Sequence, residues 1–136
     1  MTNFRICPFF AFTGRAEEAM NFYASNLPGA KIVSLTRYGK HPFAAEGEEN
    51  NVLHGVLVFK GQEIMFMDMT AAHPAPPFSW SASLYIGCED EAEFDTIFAP
   101  LSQSGVVMMG PEAVGDLRKC AWVTDKFGIT WQPVWA

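Results

Sequence analysis

The order of predicted secondary-structure elements is the same on both sides of a proline-rich segment, and this repetition constrains the fold most strongly. The segment TAAHPAPP, residues 70–77, carries three prolines within four residues. It cannot continue a β-ladder because proline has no N–H to donate. Each side predicts a strand, a helix and three further strands. The chain therefore reads as one domain of two β-α-β-β-β modules, about residues 1–70 and 79–136.

Hydrophobic spacing predicts the elements of each module. In the first module it predicts a helix over residues 14–27, with the Thr13 hydroxyl as its N-cap and acidic residues in its first turn. Four strands are predicted beside it, Phe4–Phe12, Lys31–Tyr38, Val52–Phe59 and Glu63–Met69. In the second module a helix over residues 89–103 follows a strand at Ser81–Cys88. The remaining predicted strands are Val106–Met109, Arg118–Thr124 and Ile129–Val134.

Repetition also has a physical consequence for the fold. A shift of 75 residues places Tyr23 on Phe98, and a shift of 65 residues places VLVFKGQEIMFM on AWVTDKFGITWQ. A sheet covered by one helix leaves its other face bare and needs a partner. We therefore predict an α+β fold in which the two modules form a curved mixed sheet cup, with the helices outside and a ligand site inside.

Composition excludes several classes of protein. The net charge is −6 and no basic cluster occurs, so nucleic acid and anionic membranes are poor partners. The acidic balance is typical of a soluble protein, although it also favours a cationic ligand. Without an apolar run of about 18 residues or a signal-peptide pattern, a cytoplasmic location is predicted. The cysteines, Cys7, Cys88 and Cys120, are widely spaced and predict neither disulfides nor a zinc site.

Common catalytic motifs are missing from the sequence. We find no G-x-G-x-x-G, no G-x-x-x-x-G-K-[ST] and no G-x-S-x-G, so dinucleotide binding, P-loop chemistry and a nucleophile elbow have no support.

Two segments carry a family resemblance. RAEEAMNFYASNLPGAKI, residues 15–32, is similar to the pattern A.EAI.FY...FP.A.I, and CAWVTDKFGITWQPV, residues 120–134, resembles CGWLKDKYGVSWQIV. With the paired modules, the chain resembles the PhnB-like group, also labelled the 3-demethylubiquinone-9 3-methyltransferase domain, of the glyoxalase/bleomycin-resistance (vicinal oxygen chelate) superfamily. The resemblance covers essentially the whole chain. It implies the glyoxalase/bleomycin resistance/dihydroxybiphenyl dioxygenase fold and a homodimer.

The resemblance also implies four positions for the ligands of a divalent metal. Placed strand by strand, these positions hold Cys7, Met67, Ser83 and Gln132. A shift of one residue would put Phe66 at the second position or Ala82 at the third. Divalent ions in such sites prefer histidine and carboxylate ligands, so we expect no metal and no cofactor. Gln132 would then either orient a ligand by hydrogen bonding or satisfy its amide on neighbouring groups.

Cross-strand pairing in the last predicted hairpin indicates which side chains share a face of the sheet. If Asp125 and Gly128 bound the turn, Ala121 shares a face with Gln132, while Trp122 and Trp131 lie in the helix-side core. The predicted ligand-binding residues on the cup side are Cys7, Phe9, Met65, Met67, Ser83, Tyr85 and Gln132, with Ala121 and Thr130 beside them. Such a methionine-rich lining suits a loosely specified ligand, or else fills a shrunken cup. Aromatic residues near the loops either close the mouth or bury in a dimer interface, namely Phe43, Phe78 and Trp80.

Four residues are candidate general acids or bases. They are His54, Tyr85, Cys7 and Asp68. His54 stands in a strand whose alternation can aim it into the cup, whereas His41 and His73 lie in proline-containing loops.

Three functions remain open. The first is a metal-free protein that binds a small organic ligand in the cup. The second is a metal-independent lyase or transferase, and the third is a non-catalytic scaffold whose cup is filled by its own side chains.

Overall fold

The computed structural model describes residues 5–136, which form two compact units that divide between Pro76 and Pro77. This division falls inside the TAAHPAPP segment, and we call the two units the first and second modules. In the described part of the chain, no helix has the length and apolar character needed to cross a membrane.

The first module is a four-stranded mixed sheet with one helix. Its elements are β1 (Phe9–Phe12), α1 (Ala16–Asn26), β2 (Lys31–Arg37), β3 (Val52–Phe59) and β4 (Gln62–Asp68). The strand order is β1-β4-β3-β2, and only β1 and β4 run parallel. The Phe66 ring of β4 packs against Phe12 and against Tyr23 of α1, so Phe66 marks the helix side of this sheet. The strand predicted over Phe4–Phe12 begins only at Phe9 in the structure, and Phe4 itself lies outside the described residues.

The second module repeats this arrangement. Its elements are β5 (Leu84–Cys88), α2 (Glu91–Ser102), β6 (Val106–Val114), β7 (Leu117–Thr124) and β8 (Thr130–Trp135). The strand order is β5-β8-β7-β6, with β5 parallel to β8. Two four-stranded mixed sheets, each with one helix, confirm the predicted α+β class.

The start of α1 differs from the prediction. Its N-cap residue is Arg15, without a side-chain cap, and the Thr13 hydroxyl accepts a hydrogen bond from the Ala75 N–H at 2.9 Å instead. The Asp68 carboxylate, at the end of β4, accepts the N–H groups of Gly14 and Ala16 at 2.8 and 3.0 Å. A distant carboxylate thus satisfies the donors at the helix start, a role that local sequence cannot reveal.

Strand β6 is longer than predicted. It continues past Met109 to Val114 and includes Pro111. Because β6 is an edge strand, the N–H that Pro111 lacks is not required by a second neighbour. Irregularities in its pairing with β7 between Val107 and Val114 accommodate the extra residues.

The last turn is held by Asp125 and is one residue longer than predicted. The Asp125 carboxylate accepts the N–H groups of Phe127 and Ile129 at 2.9 and 3.1 Å, and the Trp131 indole N–H at 2.8 Å. The Asp125 N–H donates to the Ile129 carbonyl at 2.8 Å. Gly128 has a φ of +97°, a conformation that glycine adopts readily.

This turn changes the register of the hairpin. Val123 pairs with Trp131, and Thr124 pairs with Thr130. A shift of one residue moves every side chain of a strand to the other face relative to its partner. The predicted pairing of Ala121 with Gln132 and of Trp122 with Trp131 is therefore wrong. Trp131 is buried, as expected, but Trp122 lies on the opposite face of the sheet.

Candidate functional site

The face of the first sheet that points away from α1 carries several predicted ligand-binding residues. Phe9 pairs with Met65, and Met67 follows on the same face by alternation along β4. The His54 ring lies 5.8 Å from the Phe9 ring, which places His54 on this face too. We call this surface the first helix-free face. Cys7, half-buried, precedes Phe9 by two residues and lies outside β1.

Asp68 serves a different purpose from the other catalytic candidates. Only 1% of its surface is exposed, and it lies on the helix side of the sheet, in phase with Phe66. Besides the start of α1, its carboxylate accepts the Val52 N–H at 2.9 Å. Its carbonyl accepts the Tyr38 O–H at 2.7 Å. Burial, together with the charges of Asp68 and Glu48, raises the pKa of Tyr38. These bonds give Asp68 a structural role that joins α1, β3 and β4.

Ion pairs identify the helix side of the second sheet. The Lys119 ammonium contacts Glu91 and Asp95 of α2 at 2.7 and 2.9 Å. Alternation along β7 therefore places Ala121 and Val123, both fully buried, on the α2 side.

The opposite face of this sheet, the second helix-free face, carries Gln132. Its amide donates to the Cys120 thiol at 3.6 Å, and Tyr85 pairs with Gln132 along β5 and β8. Tyr85 is 64% exposed. Ser83 is exposed just before β5. The structure thus brings Tyr85 and Gln132 side by side.

A pocket on the second helix-free face was not predicted as a site. Trp80, Met108, Met109 and Trp122 line it, and its volume is about 320 Å³. The two indole rings lie 6.4 Å apart at 75°, and Met109 pairs with Trp122 across the β6-β7 ladder. We call it the tryptophan pocket. Sequence reasoning missed it because the expected register put Trp122 on the helix side.

The remaining predicted aromatics and histidines lie elsewhere. Phe43 is 74% exposed, and its ring lies 5.0 Å from that of His41. Phe78 packs close to Gly128 in the last turn, and His73 is exposed in the proline-rich segment.

The metal positions implied by the family resemblance do not hold metal ligands. In residues 5–136, no group of three or more His, Cys, Asp or Glu is arranged to hold an ion. One thiol, one thioether, one hydroxyl and one amide are a poor set for a hard divalent cation. The residues present therefore do not fit the metal of the superfamily enzymes.

Sequence comparison identifies the family. The family model for 3-demethylubiquinone-9 3-methyltransferase matches residues 4–134. A search of the curated proteins gives no significant match.

Several solved structures are similar to this chain. A PhnB protein from Bacillus cereus, a proposed 3-demethylubiquinone-9 3-methyltransferase, is 37% identical with a TM-score of 0.84, over 97% of this chain and 99% of that one. Protein PA1353 from Pseudomonas aeruginosa is 24% identical with a TM-score of 0.87, over 98% of each chain. A glyoxylase/bleomycin resistance protein/dioxygenase domain from Frankia sp. EAN1pec is 11% identical with a TM-score of 0.66, over 99% and 93%. This last likeness concerns the fold alone.

Proposed function

Since the chain belongs to the 3-demethylubiquinone-9 3-methyltransferase family, within the glyoxalase/bleomycin-resistance superfamily, we propose that it is a small-molecule-binding protein that works without a metal. Its ligand contacts a helix-free face of a sheet. The observation that carries this proposal is the tryptophan pocket, an apolar recess of about 320 Å³ on the same face of the sheet as Gln132.

The chemistry of this pocket suits a small organic ligand. Binding sites for such ligands are largely apolar, with a few polar groups that set orientation. Two indoles and two thioethers supply the apolar part. Methionine adapts to ligands of different shape, which favours loose specificity. The exposed Tyr85 hydroxyl and the Gln132 amide are the nearby hydrogen-bonding groups on the same face.

The first helix-free face supports the proposal independently. Met65 and Met67 lie there with Phe9, which is 48% exposed, and with the half-buried His54. A sheet face of thioethers and rings offers an apolar surface, and the His54 imidazole lies on the same face. Cys7, Phe9, Met65, Met67, Ser83, Tyr85 and Gln132 remain the proposed ligand contacts.

The four indole N–H signals of ¹⁵N-labelled protein provide the test. The probe is 2,3-dimethoxy-5-methyl-1,4-benzoquinone, a soluble quinone head group chosen because of the family description. We expect it to move the signals of Trp80 and Trp122, while that of Trp131, bonded to Asp125, stays in place. The substitution Trp122→Leu should abolish the change at Trp80. If millimolar quinone moves no indole signal and no backbone signal of either helix-free face, the proposal is wrong.

A metal-independent lyase or transferase is the second candidate, and the position of His54 favours it. An imidazole on a ligand-facing surface can act as a general base, with Cys7 and Tyr85 as further candidates. Turnover that disappears in His54→Ala and persists in the control His73→Ala would establish this candidate. Turnover that both variants retain would show that His54 is not the general base.

We further propose that the chain forms a homodimer, as the family resemblance implies. Sedimentation equilibrium at micromolar concentration tests this, and a monomer mass would contradict it.

A further inference from the structure

We propose that the tryptophan pocket is selective for an organic cation that carries an aromatic ring. This inference rests on the proposed binding function and names the class of its ligand. Three features of the second module support it: the geometry of the indoles, the placement of one carboxylate, and the distribution of charge along the chain.

The geometry of the pocket suits a cation. The Trp80 and Trp122 planes meet at 75° with centroids 6.4 Å apart, so they form two walls of a box. A cation within about 6 Å of an indole centroid is attracted by the ring, and tryptophan is the strongest such partner. Trp80 is 64% exposed, which leaves ring surface open to a ligand. The Met108 and Met109 thioethers form a polarisable wall beside them.

A carboxylate stands on the same face as the pocket. Glu112 of β6 pairs with Cys120 of β7, and residues opposite one another in an antiparallel pair share a face. Cys120 precedes Trp122 by two residues, a separation of about 7 Å along a strand. The exposed Glu112 side chain is therefore within reach of the rim of the pocket, where it can pair with a bound cation.

Charge distribution strengthens this point. From Pro77 to Ala136, three Lys or Arg against eight Asp or Glu give −5, whereas Met1–Pro76 has six against seven and gives −1. The chain's acidity is thus almost entirely that of the second module. Its basic side chains contact other groups: Arg118 lies over the Trp135 ring, Lys119 binds the acidic residues of α2, and Lys126 lies over Phe127. Five of the eight acids lie at residues 89–95, at or just before the start of α2, which covers the opposite face of the sheet. The net charge therefore attracts cations to the module as a whole, and Glu112 supplies a carboxylate on the face of the pocket itself.

Three soluble benzene derivatives separate charge from apolar contact. They are benzyltrimethylammonium, neutral benzyl alcohol and anionic benzenesulfonate, each titrated into full-length ¹⁵N-labelled protein while the Trp80 and Trp122 indole signals are followed. We expect benzyltrimethylammonium to bind at least fivefold more tightly than benzyl alcohol, and benzenesulfonate to bind most weakly. Added salt should weaken only the cation.

Substitutions then assign the preference to named groups. Glu112→Gln should weaken benzyltrimethylammonium two- to fivefold and leave benzyl alcohol unchanged, while the matched control Asp116→Asn should change neither. Trp122→Leu keeps an apolar side chain but should remove the preference for the cation. Trp122→Phe should retain part of it. The folded spectrum of Glu112→Gln, a change at an exposed position, serves as the check on structure.

The outcomes distinguish this inference from the function on which it rests. Equal binding of the cation and benzyl alcohol overturns the cation preference and leaves the binding function standing. The same holds if the quinone probe binds but none of the three benzene derivatives moves an indole signal. If neither the quinone nor any of the three binds, both proposals fall.

Discussion

The two modules share one topology, yet their helix-free faces differ in chemistry. The first presents Met65, Met67 and His54, whereas the second presents Trp122 and Gln132 beside an open pocket. On the helix side the two are much more alike, because Phe66 and Trp131 are both buried aromatic residues on the strand that pairs with the module's first strand. The comparison indicates that helix packing fixes the fold, while the other face is free to take on a separate ligand chemistry.

The modules also differ in how a buried aspartate stabilises them. Asp68 binds backbone groups 52, 54 and 16 residues away. The Asp125 carboxylate accepts hydrogen bonds from groups two, four and six residues away within its own hairpin. One aspartate therefore joins distant elements, and the other defines a local turn.

The largest expected effect is on the free energy of unfolding, measured for residues on the two faces of the sheets. Phe66→Ala and Trp131→Ala should each lower the free energy of unfolding by about 3–5 kcal/mol, because each leaves a large cavity in a buried core. Gln132→Ala, one residue further and on the other face, should cost less than about 1.5 kcal/mol. Urea unfolding followed by circular dichroism measures all three. A loss at Gln132 as large as that at Trp131 would mean that the register of β8 is not the one described.

Substitution of the two buried aspartates should have the next largest effect, and the elements affected should differ. Asp68→Ala leaves three backbone N–H groups without their acceptor, and we expect a loss of about 2–4 kcal/mol. Asp125→Ala should cost a similar amount, about 2–4 kcal/mol, because it leaves the buried N–H groups of Phe127, Ile129 and the Trp131 indole without their acceptor. Asp116→Ala, in an exposed turn, is the control and should change little. Hydrogen exchange adds a sharper test, since Asp68→Ala should expose amides in α1 and β3. Loss of protection in the β3-β4 turn alone would contradict the joining role.

Each module contains a close-packed glycine at which the cost of adding one methyl group can be compared. A Cβ at Gly105 would meet the backbone carbonyl oxygens of Thr124 and Leu101, which cannot move aside. A Cβ at Gly55 would meet the end of the flexible Met20 side chain at 2.6 Å. We expect Gly105→Ala to cost about 2 kcal/mol and Gly55→Ala about 1 kcal/mol. In thermal unfolding, Gly87→Ala, which has open space, should be neutral or slightly stabilising.

The smallest expected effect concerns one exposed ion pair in each module. Hydrogen bonds from Arg37 lower the pKa of Glu17 below its ordinary 4.5. The stability from this pair is thus present above pH 4.5 and is lost as the pH falls through the lowered value. Hydrogen bonds to Glu91 and Asp95 raise the pKa of Lys119 above its ordinary 10.5. That contribution is present below pH 10.5 and is lost as the pH rises through the raised value.

Urea midpoints measured across pH test these signs. Glu17→Gln should flatten the acid side of the stability profile, and Lys119→Met should flatten the alkaline side. Because both pairs are exposed, the changes should be small and should shrink in high salt. The reverse assignment, with Glu17→Gln acting only on the alkaline side, would show that these pairs do not set the slopes.

Local sequence was sufficient to predict the elements. Apolar alternation located β3 at Val52–Phe59, the bounds that the structure has. Local sequence could not identify the group that accepts hydrogen bonds from the N–H donors at the start of α1. Asp68 lies more than 50 residues from Ala16, and no local spacing links them. Apolar alternation also ended β6 at Met109, since Gly110 and Pro111 resemble a turn until the strand is known to be an edge.

The candidate site was also only partly predictable from local sequence. Alternation along β1 and β4 sufficed to group Phe9, Met65 and Met67 on one face. The tryptophan pocket was missed through one residue of register in the last hairpin. The signal for it was present, because an aspartate followed three residues later by glycine is typical of a longer turn with glycine at positive φ.

The course of β6 has a consequence for the behaviour of this protein at high concentration. Val106, Val107 and Val114 are exposed along an unpaired sheet edge, a surface that invites aggregation by strand addition. Pro111 interrupts the row of donors between them, and the pairing irregularities bend the strand. The edge thereby carries its own protection against fibril-like stacking. Replacing the proline would remove a safeguard of colloidal solubility.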